Sequence, residues 1–167
     1  MDRNFEDIVK NHLNYNPDTG ILSWINPYTN RFKHGAEVGY TGKDGYRRIQ
    51  ILGKVYLVHR VIWFIVYGNW PKNELDHIDL NRSNNKIENL RECTHSLNNA
   101  NRISYKNSIS KYKGVNLDKR DGVWSAEIHK DNIKYYLGRF KCETSAALAY
   151  DKKAKEFFGE YARLNFG

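Results

Sequence analysis

Apolar residues follow two different spacings along residues 1–67. Over residues 3–13 they recur at the spacing of one face of a short amphipathic helix. Turn-forming residues then separate short alternating stretches at 21–24, 46–51 and 55–58, a pattern that predicts antiparallel hairpins. The stretch 59–67 is mostly apolar and ends at Gly68, which suits a helix terminus, but its β-branched residues leave a strand equally open.

The pattern changes after Pro71. Residues 72–102 are polar and rich in asparagine, which favours loops and helix caps. Thr94 or Ser96 would cap a final helix in this stretch. A sparse apolar skeleton accompanies these polar residues, and it consists of Leu75, Ile78, Ile87, Leu90 and Leu97.

The last third of the chain has the pattern of a small sheet with one helix. Residues 103–110 form a polar linker, and strand-like stretches follow at 113–115, 123–128 and 134–140. An alanine-rich helix begins at Thr144 and ends before Gly159. We therefore predict an α+β protein: a β-rich region over residues 1–57, a polar unit over 58–102, a linker over 103–110, and a three-stranded sheet with one helix over 111–167.

Charge points to a polyanionic partner. The formal net charge is +8 and the isoelectric point about 9.4. Residues 101–167 contain 14 Lys/Arg and 8 Asp/Glu, whereas residues 1–100 contain 13 and 11. The two cysteines cannot form a disulfide framework, and no apolar run reaches the about 18 residues of a membrane span. Because the N-terminus also lacks an apolar signal core, we expect the protein to act where it is made.

The chemistry of phosphodiester hydrolysis fits the polar unit. Hydrolysis needs a hard divalent cation with oxygen ligands and a base that is neutral near pH 7. Asp76 and His77 are adjacent, and Asn98 returns from a later helix, so a carboxylate, an imidazole and an amide oxygen are available. Taken alone, an Asp-His pair is also consistent with an ordinary surface turn.

The longer pattern over residues 58–102 resembles the HNH nucleases, in particular the branch found in phage and intron homing endonucleases. The resemblance implies a ββα-metal unit in which Asp76 and Asn98 bind one divalent metal and His77 is the general base. Asn89 would hold the loop and position His77. An asparagine at position 98 implies Mg²⁺, with Mn²⁺ as an alternative, rather than Zn²⁺.

Several further polar residues have two readings. Arg60 would contact phosphate or form a structural ion pair, and Arg47 and Arg48 would add DNA-binding surface unless residues 1–57 are scaffold only. His95 is an alternative metal ligand or a DNA contact. A last group is expected mainly to build the loop through side-chain hydrogen bonds to nearby backbone, with metal ligation as the alternative. It consists of Asp79, Asn81 and Asn85.

Residues 110–167 resemble the Apetala/ethylene-response-factor DNA-binding domain. The resemblance rests on the segments 112–115, 124–128, 137–140, 146–151 and 164–166. That family reads the major groove with three antiparallel strands. The positions that match its DNA-facing residues are Lys113, Asn116, Lys119, Trp124, Lys134 and Tyr136. Three of them, Lys113, Asn116 and Tyr136, depart from the family pattern, so the target sequence does not carry over.

These observations together predict a metal-dependent DNA endonuclease of homing type with sequence-biased recognition of double-stranded DNA. We expect a monomer or weak dimer in the cytoplasm of a bacterial host cell, encoded by a phage. Two alternatives use the same charge: a non-catalytic DNA-binding regulator with a degenerate nuclease fold, and a structural RNA-binding protein.

Overall fold

The computed structural model describes residues 4–27, 29–103 and 108–167. The chain divides into two compact units, Met1–Glu92 and Cys93–Gly167. Helices and antiparallel strands occur in both units, which confirms the predicted α+β class. Residues 104–107 of the predicted linker lie outside the described part of the chain. Within the described part, no helix is long and apolar enough to cross a membrane.

The first unit combines two helices with three small sheets. The hairpin β1–β2, the three-stranded sheet β3–β4–β5 and the pair β6–β7 follow one another along the chain. Their bounds in chain order are α1 (Phe5–His12), β1 (Leu13–Asn16), β2 (Ile21–Trp24), β3 (Tyr40–Thr41), β4 (Arg47–Ile51), β5 (Lys54–Leu57), α2 (Val58–Tyr67), β6 (Glu74–His77) and β7 (Leu90–Cys93), whose last residue begins the second unit.

The segment that the sequence left open between helix and strand is the helix α2. Val58, Val61 and Ile62 are buried at the i, i+3, i+4 spacing of one helix face. Gly68 ends the helix in the left-handed conformation, φ 72°, and its N–H donates to the carbonyl of Phe64 at 2.9 Å. The stabilisation from burying this face of α2 therefore outweighs the strand preference of its β-branched residues.

One hydrophobic core joins the N-terminal region to α2. Apolar side chains from α1, the β1–β2 hairpin, β4 and α2 share this core, and its members include Ile8, Leu22, Trp24, Ile49, Ile51 and Val61. Of the apolar skeleton predicted for residues 72–102, Leu75 and Leu90 are buried, whereas Ile78 is 42% exposed. Ile78 of this skeleton is therefore not a core residue.

The second unit is a three-stranded antiparallel sheet with two helices. The strand order is β10–β9–β8. Its elements are α3 (His95–Asn101), β8 (Val115–Asp118), β9 (Val123–Lys130), β10 (Ile133–Phe140) and α4 (Glu143–Phe158). Ala146, Ala147 and Ala154 of α4 are buried against the sheet, since small side chains let the helix approach closely. Thr94 is the N-cap of α3, as one of the two predicted alternatives had it.

Candidate active site

Asp76 and His77 lie at the end of β6 and are both buried. Asp76 is 4% and His77 2% exposed. The carboxylate of Asp76 accepts two hydrogen bonds from the guanidinium of Arg91 on β7, at 3.0 and 2.9 Å, both to Oδ2. The pairing of β6 with β7 thus brings a cation to a buried carboxylate.

His77 has its ring oriented by Asn85. Nε2 of His77 lies 3.0 Å from Oδ1 of Asn85, and because an amide oxygen only accepts, Nε2 carries the hydrogen. In the neutral ring, Nδ1 then holds the basic lone pair. Burial lowers the pKa of His77, and the hydrogen bond to Asn85 offsets only part of this decrease, so the imidazole is neutral near pH 7.

Asn89 is the last residue of the loop between β6 and β7 and holds this loop through hydrogen bonds. Its Oδ1 accepts from the backbone N–H of Asp79 at 3.0 Å. Its Nδ2 donates to the Asp79 carboxylate at 2.9 Å and to the carbonyl of Asn84 at 2.8 Å. Its own carbonyl accepts from the N–H of Ile78 at 2.9 Å. These four hydrogen bonds connect Asn89 with the start and the middle of the loop that follows His77.

A second histidine, His59 of α2, is buried beside His77. The two rings meet edge to face with centroids 5.0 Å apart, and the ring of Tyr46 lies 5.3 Å from His59 and 5.9 Å from His77. Burial lowers the pKa of His59 to about 3, with the neighbouring charges of His77 and Arg60 adding to the decrease. Within the described part of the chain, His59 Nδ1 has no hydrogen-bond partner.

Asn98, the last residue of the motif, lies on α3 in the second unit. Leu97 and Ala100, its neighbours on this helix, pack in the core formed by the sheet and α4. The ammonium of Lys113 donates to the carbonyls of Asn99 and Ala100 at 3.1 and 2.6 Å. Burial lowers the pKa of Lys113 to about 8. The helix that carries Asn98 therefore packs as part of the second unit, Cys93–Gly167, which we call the C-terminal module.

The three arginines predicted to contact DNA in the first unit are all bound within it. Arg47 donates to two carbonyls of the preceding loop and pairs with Glu37 at 3.1 Å. Arg48 makes two bonds to the carboxylate of Asp44, at 2.7 and 2.6 Å. Arg60 donates to two carbonyls of the segment between α2 and β6, at 3.1 Å each. Arg60 thus has a structural role, although through carbonyls rather than the ion pair considered as an alternative.

The residues predicted to read DNA in the second unit fall into two groups. Asn116, Lys119, Lys134 and Tyr136 are exposed, and Lys134 pairs with Glu127 at 2.5 Å. The other two face inward. Lys113 is engaged with α3 as described above. Trp124 packs against the buried Val115, Ala126, Ala146 and Ala147, so the expectation that it shares the exposed sheet face is corrected.

The residues available for a metal are oxygen donors. Within the described ranges, no group of three or more His, Cys, Asp and Glu side chains is arranged to hold an ion. Asp76 in the first unit has a carboxylate and Asn98 in the second unit has an amide oxygen, and each is a donor type that hard cations prefer. The donor chemistry fits a magnesium-like ion and does not fit a closed zinc site.

Two residues of this site were not identified from the sequence. Asn85 was expected mainly to build the loop, with metal ligation as the alternative, and Arg91 was not singled out. Asn85 is one of several asparagines in the loop, and nothing local distinguishes the one that reaches back to His77. Arg91 follows the buried Leu90 in β7, and its pairing with Asp76 depends on the register of two strands that are 15 residues apart.

A comparison of the sequence with protein-family models matches the segment that contains these residues. Residues 56–100 match the family model for HNH endonucleases. The HNH segment begins in β5 and ends in α3, so it includes every residue of the motif from His59 to Asn98. An uncharacterized HNH endonuclease, L560, of Acanthamoeba polyphaga mimivirus is 37% identical over 128 residues, which cover 75% of this chain and 65% of that protein.

Two plant proteins are similar to a shorter part of the chain. Dehydration-responsive element-binding protein 2C of Arabidopsis thaliana is 44% identical over 61 residues, or 35% of this chain and 18% of that protein. The AP2-like ethylene-responsive transcription factor TOE2 of the same plant is 40% identical over 57 residues, or 34% and 12%. The chain thus spans less than two thirds of the length of each of these relatives.

Proposed function

We propose that this protein is a metal-dependent endonuclease that hydrolyses phosphodiester bonds in double-stranded DNA. The observation that carries the proposal is the state of His77, which is buried, neutral and fixed through Nε2 by Asn85 within a segment that matches HNH endonucleases. A neutral imidazole held in one tautomer is what general-base activation of a water molecule requires.

Each residue of the motif has a separate task in this proposal. Nδ1 of His77 takes the proton from water as its oxygen attacks phosphorus, and Asn89 keeps the loop, and with it the imidazole, in place. Asp76 and Asn98 would hold one divalent metal, Mg²⁺ or Mn²⁺; their pairing rests on the sequence motif. When bound, such an ion supplies positive charge that stabilises the phosphate and the departing 3′-oxygen.

We further propose a homing-type enzyme in which the C-terminal module selects the DNA. The excess positive charge of residues 101–167 supports this assignment, as does the resemblance of residues 110–167 to the Apetala/ethylene-response-factor DNA-binding domain. Asn116, Lys119, Lys134 and Tyr136 are the exposed candidates for contacts to bases and phosphates. With one site per chain, a monomer would nick one strand, and a weak dimer would cut two. A phage-encoded protein acting in the bacterial cytoplasm would meet such substrates.

A plasmid-nicking assay with Mg²⁺ or Mn²⁺ tests the proposal. Wild type should convert supercoiled DNA to the nicked or linear form, EDTA should stop the reaction, and His77→Ala should lower the rate by about 100- to 10,000-fold. His34→Ala, at an exposed histidine of the first unit, is the matched control and should cleave like wild type.

The second candidate is a non-catalytic DNA-binding regulator that retains the fold. One observation favours it: Oδ2 of Asp76 is already paired with a guanidinium, which competes electrostatically with a cation. In that case wild type and His77→Ala would both bind duplex DNA and leave it intact with every metal tried. RNA bound much more tightly than duplex DNA would point instead to an RNA-binding protein.

A further inference from the structure

The β1–β2 hairpin contacts the same stretch of loop that orients His77. The hydroxyl of Tyr15, on β1, donates to the carbonyl of Asn85 at 3.3 Å. The same hydroxyl accepts from the N–H of Ile87 at 2.9 Å. One side chain, about 70 residues away in sequence, therefore spans the backbone on both sides of Lys86.

The turn of this hairpin also touches the loop, at Gly20. Gly20 has φ +73°, and a Cβ there would lie 2.5 Å from the backbone nitrogen of Lys86 and 2.8 Å from the carbonyl carbon of Asn85. Distances this short are incompatible with a side chain unless backbone moves. Glycine at this position therefore permits a backbone-to-backbone approach that any other residue would prevent.

The hairpin itself is well anchored. Leu13, Leu22 and Trp24 from its two strands are buried in the core of the first unit. Its turn is closed by Asn16, whose Oδ1 accepts from the N–H groups of Asp18 and Thr19 at 2.9 and 3.2 Å. A rigid element thus meets the backbone of Asn85, while the side chain of the same residue, itself 4% exposed, meets the ring of His77 at 3.0 Å.

We propose that the β1–β2 hairpin is a positioning device for the general base: Tyr15 and Gly20 hold the backbone of Asn85, and the side chain of Asn85 holds His77 in the Nε2-protonated tautomer. This inference rests on the proposed function in its catalytic consequence, although the positioning itself does not depend on it. It makes Tyr15 and Asn85 positioning residues and gives the hairpin a task beyond scaffold or DNA contact.

Three substitutions in the full-length protein separate the steps. Tyr15→Phe removes the hydroxyl and keeps the ring, Asn85→Leu removes the acceptor of the His77 hydrogen bond, and Asn85→Asp keeps an acceptor oxygen at the same place. Tyr40→Phe, at a tyrosine that is 55% exposed, is the control for Tyr15→Phe. Circular dichroism and thermal melting verify folding for each variant.

The first readout is cleavage under saturating DNA. We expect Asn85→Leu to lower kcat by about 10- to 100-fold with KM and DNA affinity unchanged, because groups that orient a catalytic ligand have effects of this size. Tyr15→Phe should lower kcat by a smaller factor in the same manner, Asn85→Asp should recover most of the rate, and Tyr40→Phe should match wild type.

The second readout does not need catalysis. The ¹⁵N chemical shifts of the His77 ring report its tautomer, and we expect the Nε2-protonated form in wild type and Tyr40→Phe, with a tautomer mixture in Asn85→Leu and in Tyr15→Phe. If wild type cleaves no DNA but these shifts change as expected, the positioning stands and the proposed function fails. If folded Tyr15→Phe and Asn85→Leu both keep the wild-type shifts, the positioning inference is wrong.

Discussion

Arg91 and Asp76 form a largely buried ion pair, with 2.9 Å between Nη2 of Arg91 and Oδ2 of Asp76. The Arg91 side chain is 14% and that of Asp76 5% exposed. Removal of one partner takes a compensating charge away from the other, buried group, which costs about 3–5 kcal/mol in comparable pairs. The pair therefore contributes to the stability of the first unit, and under the proposed function it would compete with a metal ion for Asp76.

The first prediction concerns this pair. Arg91→Ala should lower the free energy of unfolding by about 3 kcal/mol in EDTA, measured by urea denaturation. Added Mn²⁺ should recover more stability in Arg91→Ala than in wild type, because the ion then takes over the compensating charge. Equal stability of the two proteins in EDTA, or an identical response to Mn²⁺, would contradict this account of Asp76.

The second prediction concerns Asn89. Asn89→Ala removes three side-chain hydrogen bonds across the loop, and we expect a loss of about 2–3 kcal/mol of stability. Cleavage should fall by about tenfold or more, since the loop carries the partner of His77. Asn69→Ala, which removes an exposed hydrogen bond to the carbonyl of Tyr67, is the control. A fully stable and fully active Asn89→Ala would show that the loop is held by other contacts.

The third prediction is a pH dependence that arises from His59. Burial lowers the pKa of His59 to about 3, so the unfolded chain binds a proton near pH 6.5 that the folded protein accepts only near pH 3. Stability therefore falls as pH decreases through this window, by up to about 1.4 kcal/mol per pH unit from this group. Urea denaturation between pH 6 and 4.5 should show about 2 kcal/mol more loss in wild type than in His59→Leu. His34→Leu should follow wild type; parallel curves for wild type and His59→Leu would contradict the assignment.

The fourth prediction concerns α3. A seven-residue helix has little stability alone, so packing of Leu97 against the C-terminal module should maintain it. Leu97→Ala should lower the stability of the second unit by about 2 kcal/mol and reduce cleavage, because Asn98 is its neighbour on α3. Leu148→Ala, at a leucine that is 54% exposed, should change neither. Normal cleavage by a destabilised Leu97→Ala would separate the catalytic motif from the packing of α3.

Most helices and strands could be predicted from the sequence, whereas the polar contacts between them could not. Gly68 and Gly159 end helices where expected, and the alanine-rich helix expected from Thr144 is α4, Glu143–Phe158. Asn89 was chosen by family resemblance, and the structure places it across the loop, although its catalytic role is still a prediction. Local patterns carry this information because a helix or strand repeats its own geometry.

The contacts that were missed depend on which side chains the folded sheets bring together. Arg47 and Arg48 have the appearance of a basic DNA-binding pair, yet each meets a carboxylate of its own sheet region. Trp124 was placed on the exposed face, but alternation along β9 puts it on the side of the buried Ala126 and Ile128. Composition cannot distinguish a free cation from a paired one, and only strand register settles which face a side chain occupies.

The most direct test of the central claim is chemical rescue at His77. His77→Gly should fold, bind duplex DNA like wild type and cleave it about 100- to 10,000-fold more slowly in single-turnover experiments with Mn²⁺. Free imidazole should restore part of that rate in proportion to its concentration, and it should leave wild type and His34→Gly unaffected. A His77→Gly protein that cleaves at the wild-type rate without imidazole would contradict the assignment of His77 as the general base.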